Sequence, residues 1–317
     1  TFGDLTGRWL EVRWSPYQKL AIAPSQGAFE YQVEVNNSAY QQIQNNSDVY
    51  RIANPDIFPP ETLRLSQYDI PSRFHPNPKT VLVVGTGTGN DIAGVLRNTK
   101  ANIVAVEIDP VIIDFGKRYH PEHPYDSDRV TTVTTDARAY FQESKQKFDL
   151  VIFGLLDSHT TPAITNARLD HYVYTQEALL AASRLLEPQS VLVVLFQPQR
   201  DFIVDRIAKS LNLVFGSMPL VSILPSDTAG WGGTLFVTGD HSVIQSQLNA
   251  EPELKAFINN NTRAVTLDKI KDLSVTTDDW PYLYLENREI PVLFYALIPI
   301  FLILWMLAHK SYNIFST

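Results

Sequence analysis

The 317-residue chain has no cysteine, which excludes disulfides, thiolate metal ligands and cysteine nucleophiles. Positive charge is also scarce. Twenty-six Lys and Arg stand against 34 Asp and Glu, a net charge of −8. With no basic run, the chain lacks the footprint of a phosphate-tracking surface, so nucleic acid is not an expected partner. The seven histidines show no HExxH or HxH spacing, and no metal site is expected. His120 and His123, in YHPEHPYD, read as solvated loop residues. There is no internal repeat and no low-complexity segment.

What the chain does have is concentrated in residues 81–99, VLVVGTGTGNDIAGVLRNT. Four apolar residues run into Gly85-Thr86-Gly87-Thr88-Gly89, and an amphipathic helix pattern follows. A buried parallel strand ending in a glycine turn lets a ligand approach backbone N–H groups. Glu107 closes the next apolar run, NIVAVE, where an acidic residue meets ribose hydroxyls. The spacing is G-x-G-x-G, with Asn90 where the third glycine of a dinucleotide G-x-G-x-x-G belongs. That form suits S-adenosylmethionine folds, which have no pyrophosphate to hold. As the end of a strand, Glu107 is expected to matter for the ligand more than for folding.

Residues 290–308, IPVLFYALIPIFLILWMLA, carry no charge. Nineteen helical residues span about 28 Å, close to the ~30 Å hydrocarbon core of a bilayer. A transmembrane helix over 288–309 is predicted, flanked by Arg288 and Lys310, with the lipid bilayer as partner and further helices in a longer protein. The soluble part is expected to be cytoplasmic, because S-adenosylmethionine is an intracellular cofactor.

Along the chain, residues 1–60 alternate as an N-terminal β domain through RWLEVRW, KLAIA, FEYQVEV and AYQQIQN. Residues 61–78 read as a Pro-rich linker with a short helix near Glu61–Gln67. From 79 to 240 the β-α-β-α rhythm predicts a parallel sheet, with strands at 80–84, 102–107, 129–134, 148–153, 190–196 and 233–238. Helices are expected from Pro110 to Tyr119 and, capped by Thr175, through Leu186. Residues 241–287 form a polar extension. The expected fold class is α/β, a Rossmann-like parallel sheet of the S-adenosylmethionine-binding type with an N-terminal β domain and a C-terminal transmembrane helix.

Ligands in open α/β sheets bind at the carboxyl ends of strands. The glycine loop, Glu107, Asp136 and Asp157 lie there. Asp136 can take a hydrogen bond from an adenine amino group or cap the following helix. Asp157 can orient or deprotonate an amine, with His159 and Tyr172 beside it; its bland reading is a loop cap.

These segments resemble the spermidine synthase (polyamine aminopropyltransferase) superfamily. The likeness rests on WSPYQKLAI, VLVVGTGTGND, VEIDPVIIDFGKRY, RVTTVTTDARAYF, FDLVIFGLLD and YVYTQEALLAASRLLEPQSVLVVLF. GTGTGND, FGLLDSHT and TDDWPYLYL look like its bacterial membrane-embedded branch. The resemblance implies cofactor contacts at Gln18, Gly85, Gly87, Glu107, Asp136 and Ala137, and often a homodimer. With Thr86, Thr88, Gly89, Asp91 and Ile108 these are the candidate cofactor residues; Asp157, His159 and Tyr172 are the catalytic candidates. Two positions depart from the family. Thr88 replaces the aspartate of a GGGDGG loop, and Leu155 replaces the first aspartate of a D-S-S-D-P-type motif. The Y-H-E segment is missing, with RLSQYDIPSRF roughly there. The expected function is a membrane-anchored transferase using S-adenosylmethionine or its decarboxylated form on an amine acceptor. The alternative is a non-catalytic nucleoside-binding or structural subunit of a membrane assembly.

Overall fold

Alternation of apolar and polar residues over the first fifty positions forms an antiparallel sheet. A computed structural model of the chain describes residues 7–25, 29–156, 169–227, 230–289 and 292–315. The sheet holds β1 (Glu11–Trp14), β2 (Lys19–Pro24), β3 (Phe29–Val35) and β4 (Ser38–Gln44) in that order. Asn36 and Asn37 take left-handed φ between Val35 and Ser38, the geometry a two-residue hairpin turn demands. α1 (Asp48–Ala53) follows, capped by Ser47.

The β-α rhythm builds a second sheet of seven strands. These are β5 (Thr80–Val84), β6 (Asn102–Glu107), β7 (Val130–Thr134), β8 (Phe148–Phe153), β9 (Leu186–Phe196), β10 (Leu220–Leu224) and β11 (Gly233–Gly239). Their order is β10-β11-β9-β8-β5-β6-β7, with β9 through β7 parallel and β10 and β11 antiparallel. The connecting helices are α2 (Asn90–Asn98), α3 (Pro110–Tyr119), α4 (Ala137–Glu143), α5 (Gln176–Ser183) and α6 (Asp201–Phe215). α7 (His241–Ala250), α8 (Pro252–Asn260) and α9 (Leu267–Ile270) come after the last strand.

β5 is buried on both faces, as a parallel strand under helices must be. Leu82 and Val84 join one core with Phe153, Val194 and Ile207; Val81 and Val83 join another with Ile92, Ile152 and Leu235. A third core joins the sheets. Leu20, Ile22, Val33, Val35 and Ile43 pack on Val111, Ile112 and Phe115 of α3. Strand order reverses between the parallel neighbours β5 and β8, so their carboxyl ends open the crevice in which such sheets bind ligands.

Four local expectations change. β10 was not anticipated; it pairs Leu220 with Val237 in an antiparallel edge. α5 stops at Ser183 instead of Leu186, because Leu186 already pairs with Phe148 in the sheet. In place of a helix over Glu61–Gln67 there are 3₁₀ turns at Pro60–Thr62 and Ile70–Phe74, the second with Ile70 and Phe74 fully buried. His120 is not a solvated loop residue: it is fully buried.

Residues 285–317 form a separate unit. Its helix, α10 (Val292–Phe315), contains Pro299. The predicted membrane span over 288–309 finds no support. Among the described residues no helix is long and apolar enough to cross a membrane.

Candidate functional site

The glycine loop between β5 and α2 is held by its own amides. Gly85, Gly87 and Gly89 all take left-handed φ (+70°, +53° and +108°), which L side chains rarely adopt. Gly85 and Thr86 donate to the Val106 carbonyl, and Gly89 donates to that of Thr86. Gly87 N donates to Glu107 Oε2 at 2.9 Å, and Thr88 N to Gln41 Oε1 at 3.0 Å. None of the five loop amides is therefore left without a partner.

Glu107 is the centre of this arrangement. Its Oε1 accepts from Ile108 N at 2.9 Å and Asp109 N at 3.0 Å, in addition to the Gly87 bond. Burial raises its pKa, against the pull of these three N–H donors. Two oxygens offer about four acceptor positions, so capacity remains for a hydroxyl donor. Three backbone N–H donors depend on Glu107, so a contribution to folding is expected beside its role toward a ligand.

The first sheet is bolted to this edge. Asp109 caps α3 by accepting from Val111 N with Oδ1. Its Oδ2 accepts from Ser15 Oγ at 2.7 Å and from Gln18 Nε2 at 3.3 Å. Gln18 thus stands two residues from Glu107, in the WSPYQ segment. Gln41 of β4 lies over the loop; a Cβ built on Gly87 would sit 2.5 Å from its amide nitrogen. Asn90 donates to the Gln42 carbonyl, and its Oδ1 accepts from Gln44 N and pairs with His120 Nε2. His120 Nδ1 accepts from Glu122 N, so the ring is neutral; burial first, then Arg97 and His123, lower its pKa to about 3. The three glutamines of AYQQIQN were read only as strand residues. No signal in a single sequence ties β4 to a loop more than forty residues later.

Asp136 caps α4, its Oδ1 accepting from Arg138 N and Ala139 N. Its Oδ2 makes neither bond. Ala137 is half-buried against the core beside it, and Ile108 is half-buried after Glu107. Tyr125 OH donates to the Gly87 carbonyl and pairs with Thr86 Oγ1 at 2.9 Å, which closes the loop from below.

The catalytic candidates divide. Asp157 and His159 lie outside the described residues. Tyr172 is 36% exposed on the 3₁₀ turn Leu169–Tyr174. That turn is held by TDDWPYLYL and the threonine before it: Thr276 Oγ1 donates to the Tyr174 carbonyl, while Asp278 accepts from Thr175 Oγ1 and pairs with Arg138. Thr276 and the motif therefore hold Tyr174 and Thr175 in place. Among the described residues no His, Asp and Glu gather as a metal site.

Several polar atoms in and around the loop are buried with no hydrogen-bond partner in the protein. They are Thr88 Oγ1, Asp91 Oδ1, Gln42 Oε1 and Gln44 Nε2. Native interiors leave few such atoms, and their gathering beside a strand-end crevice fits a polar ligand.

Known proteins carry the same architecture. The polyamine aminopropyltransferase of Sulfurisphaera tokodaii is 38% identical over 85 residues, covering 26% of this chain and 28% of that protein. That of Thermoanaerobacter pseudethanolicus is 29% identical over 149 residues, 46% of this chain and 50% of the relative. The chain thus spans between about a quarter and a half of the curated relatives it matches. Among solved structures, spermidine synthase from Thermotoga maritima superposes with a TM-score of 0.56 at 15% identity, over 86% of this chain and 82% of that one. A spermidine synthase in complex with the transition-state analogue AdoDATO gives 0.57 at 16%, over 88% and 85%. These likenesses show the fold. Residues 68–243, more than half of the chain, match the Spermine/spermidine synthase domain, and it is to this family that the chain belongs.

Proposed function

We propose that the chain binds the nucleoside of decarboxylated S-adenosylmethionine, or of S-adenosylmethionine itself, and acts as a spermidine synthase-like transferase on an amine acceptor. The observation that carries this is Glu107: a buried carboxylate inside a loop whose amides are all committed, with acceptor capacity left for ribose hydroxyls. Asp136 Oδ2 is offered to the adenine amino group, with Ile108 and Ala137 flanking the base. In aminopropyl transfer the acceptor nitrogen attacks the carbon beside the sulfonium. The carbon–sulfur bond breaks toward sulfur, which leaves as a neutral thioether, and the new ammonium gives up a proton. Asp157 is the proposed proton acceptor, with His159 and Tyr172 as the further catalytic candidates.

Calorimetry with methylthioadenosine, S-adenosylmethionine and its decarboxylated form tests the reading, followed by mass spectrometry of products with polyamines. Micromolar binding of methylthioadenosine supports the nucleoside site; no binding of any of the three overturns it.

We further propose that α10 attaches the protein to lipid, as in the membrane-embedded branch. Support comes from its unbroken run of exposed apolar side chains, Ile300 to Leu307, with Trp305 64% exposed. A helix that is apolar all round needs an apolar environment.

A further inference from the structure

Asp91 stands in the second position of α2 and is 5% exposed. Its Oδ1 has no hydrogen-bond partner in the protein. Although a helix N-terminus favours negative charge, Asp91 is not the cap; that position belongs to Gly89. The carboxylate points instead across the crevice to the end of β8. A Cβ built on Gly154 would sit 2.9 Å from Asp91 Oδ2 and 3.0 Å from the Gly85 carbonyl oxygen. Only glycine at 154 leaves that space open. The corner between β5 and β8 thus offers two acceptors, the Asp91 carboxylate and the Gly85 carbonyl, beside the Val84 carbonyl that already accepts from Gly154 N and the Leu156 side chain packed on Gly85. A buried carboxylate without a partner is expensive, and an ammonium group, with three donors and no acceptor, is the chemistry that completes it.

We propose that Asp91 is the counter-ion for a primary ammonium group in this corner, supplying the charge that Thr88 and Leu155 do not. The assignment rests on the nucleoside reading above. The ammonium belongs either to the aminopropyl tail of the cofactor or to the amine acceptor. Burial pushes the Asp91 pKa up to about 7. Tyr68 and Tyr125 face it, and burial raises both, so they are neutral. Glu107 lies across the loop, turned to the Gly87, Ile108 and Asp109 amides. A bound cation would hold Asp91 ionised.

The test compares two neutral thioethers by calorimetry on the full chain at pH 8. Methylthioadenosine lacks the ammonium; decarboxylated S-adenosylhomocysteine carries it on the same nucleoside. Putrescine, titrated with methylthioadenosine saturating, forms a third arm. Asp91→Asn is expected to weaken the amine-bearing thioether or putrescine at least tenfold and methylthioadenosine less than threefold; the arm that falls names the source of the ammonium. In the unmodified chain the preference for that amine should fade below pH 7, and Asp91→Asn should flatten this profile. An equal loss for all ligands, or none, overturns the assignment and leaves the nucleoside site standing. Failure of the unmodified chain to bind either thioether overturns both.

Discussion

At the scale of single residues, the crevice is built from groups whose charge state and hydrogen bonds serve the fold and the ligand at once. Glu107→Ala would strand the amides of Gly87, Ile108 and Asp109, at ~1–3 kcal/mol for each buried unpaired donor partly relieved by water. It should destabilise the protein by ~2–4 kcal/mol as well as abolish nucleoside binding. Glu107→Gln, keeping the shape and one carbonyl, should lose less of both. Urea unfolding beside calorimetry separates the two effects; an alanine variant as stable as the parent would show that Glu107 does not hold the loop. Asp157→Asn should lower turnover by roughly 10²–10⁴-fold with nucleoside affinity unchanged. Putrescine turnover should be weak even in the parent, since Thr88 and Leu155 stand where the family has carboxylates; steady-state assays with product detection check both.

Two buried groups also give opposite pH dependences. Asp91 moves up on folding, from 3.8 to about 7. The folded state then binds the extra proton, and stability falls as pH rises between those values, by up to ~4 kcal/mol. His120 moves down, from 6.5 to about 3. Here the unfolded state binds the extra proton, and stability falls as pH drops from 6.5 toward 3, by a similar ~4–5 kcal/mol at most. Between about pH 4 and 6.5 the two slopes nearly cancel. Asp91→Asn removes one of them. That variant should be more stable than the parent at pH 8, and should lose about 1.4 kcal/mol per pH unit more than the parent on acidification. Urea midpoints at pH 4.5, 6.5 and 8 read this directly. A parallel pair of curves would mean that Asp91 titrates as if exposed.

At the scale of elements, α3 is the keystone. Pro110 starts it, Asp109 caps it, and its Val111, Ile112 and Phe115 side chains close the core of the antiparallel sheet. Arg13 with Asp114 and Arg118 with Glu11 fasten the rim. Both pairs are too exposed to contribute much. Asp109 is different, because one carboxylate serves the helix amide, Ser15 and Gln18 together. Asp109→Ala should cost ~2–3 kcal/mol, a cap plus buried hydrogen bonds to a charged acceptor. It should also speed amide exchange in β1 and β2 more than in β5. Uniform acceleration across both sheets would mean that they open together and that Asp109 does not join them.

At the scale of the whole molecule, residues 1–284 and 285–317 are separate units. The last carries the exposed apolar helix, and the sheets, their cores and the crevice all belong to the first. A chain ending at Glu286 should therefore fold and stay monodisperse without detergent, keeping its nucleoside affinity. The full chain should float with liposomes. A full chain that stays monodisperse in buffer would refute lipid attachment; a truncated chain that aggregates would show that the helix belongs to the fold.

Much of this architecture was legible in the order of residues because its signals are local. Strands β5, β6 and β8 were read to the residue from apolar runs ending in Gly85, Glu107 and Gly154, and α3 from Pro110 following Asp109. Local sterics and capping determine such elements, and the chain has to carry them in contiguous residues. Contacts made across long separations were not legible. The glutamines of β4 over the loop, the capture of Ser15 and Gln18 by Asp109, the burial of His120 and the edge strand β10 depend on which surfaces meet when apolar faces are withdrawn from water. The same holds for charge. The sequence determined that a carboxylate stands at position 91, but only the tertiary structure decided that it is dry, unpartnered and turned toward Gly154, because desolvation is a property of the packed surroundings and not of the residue.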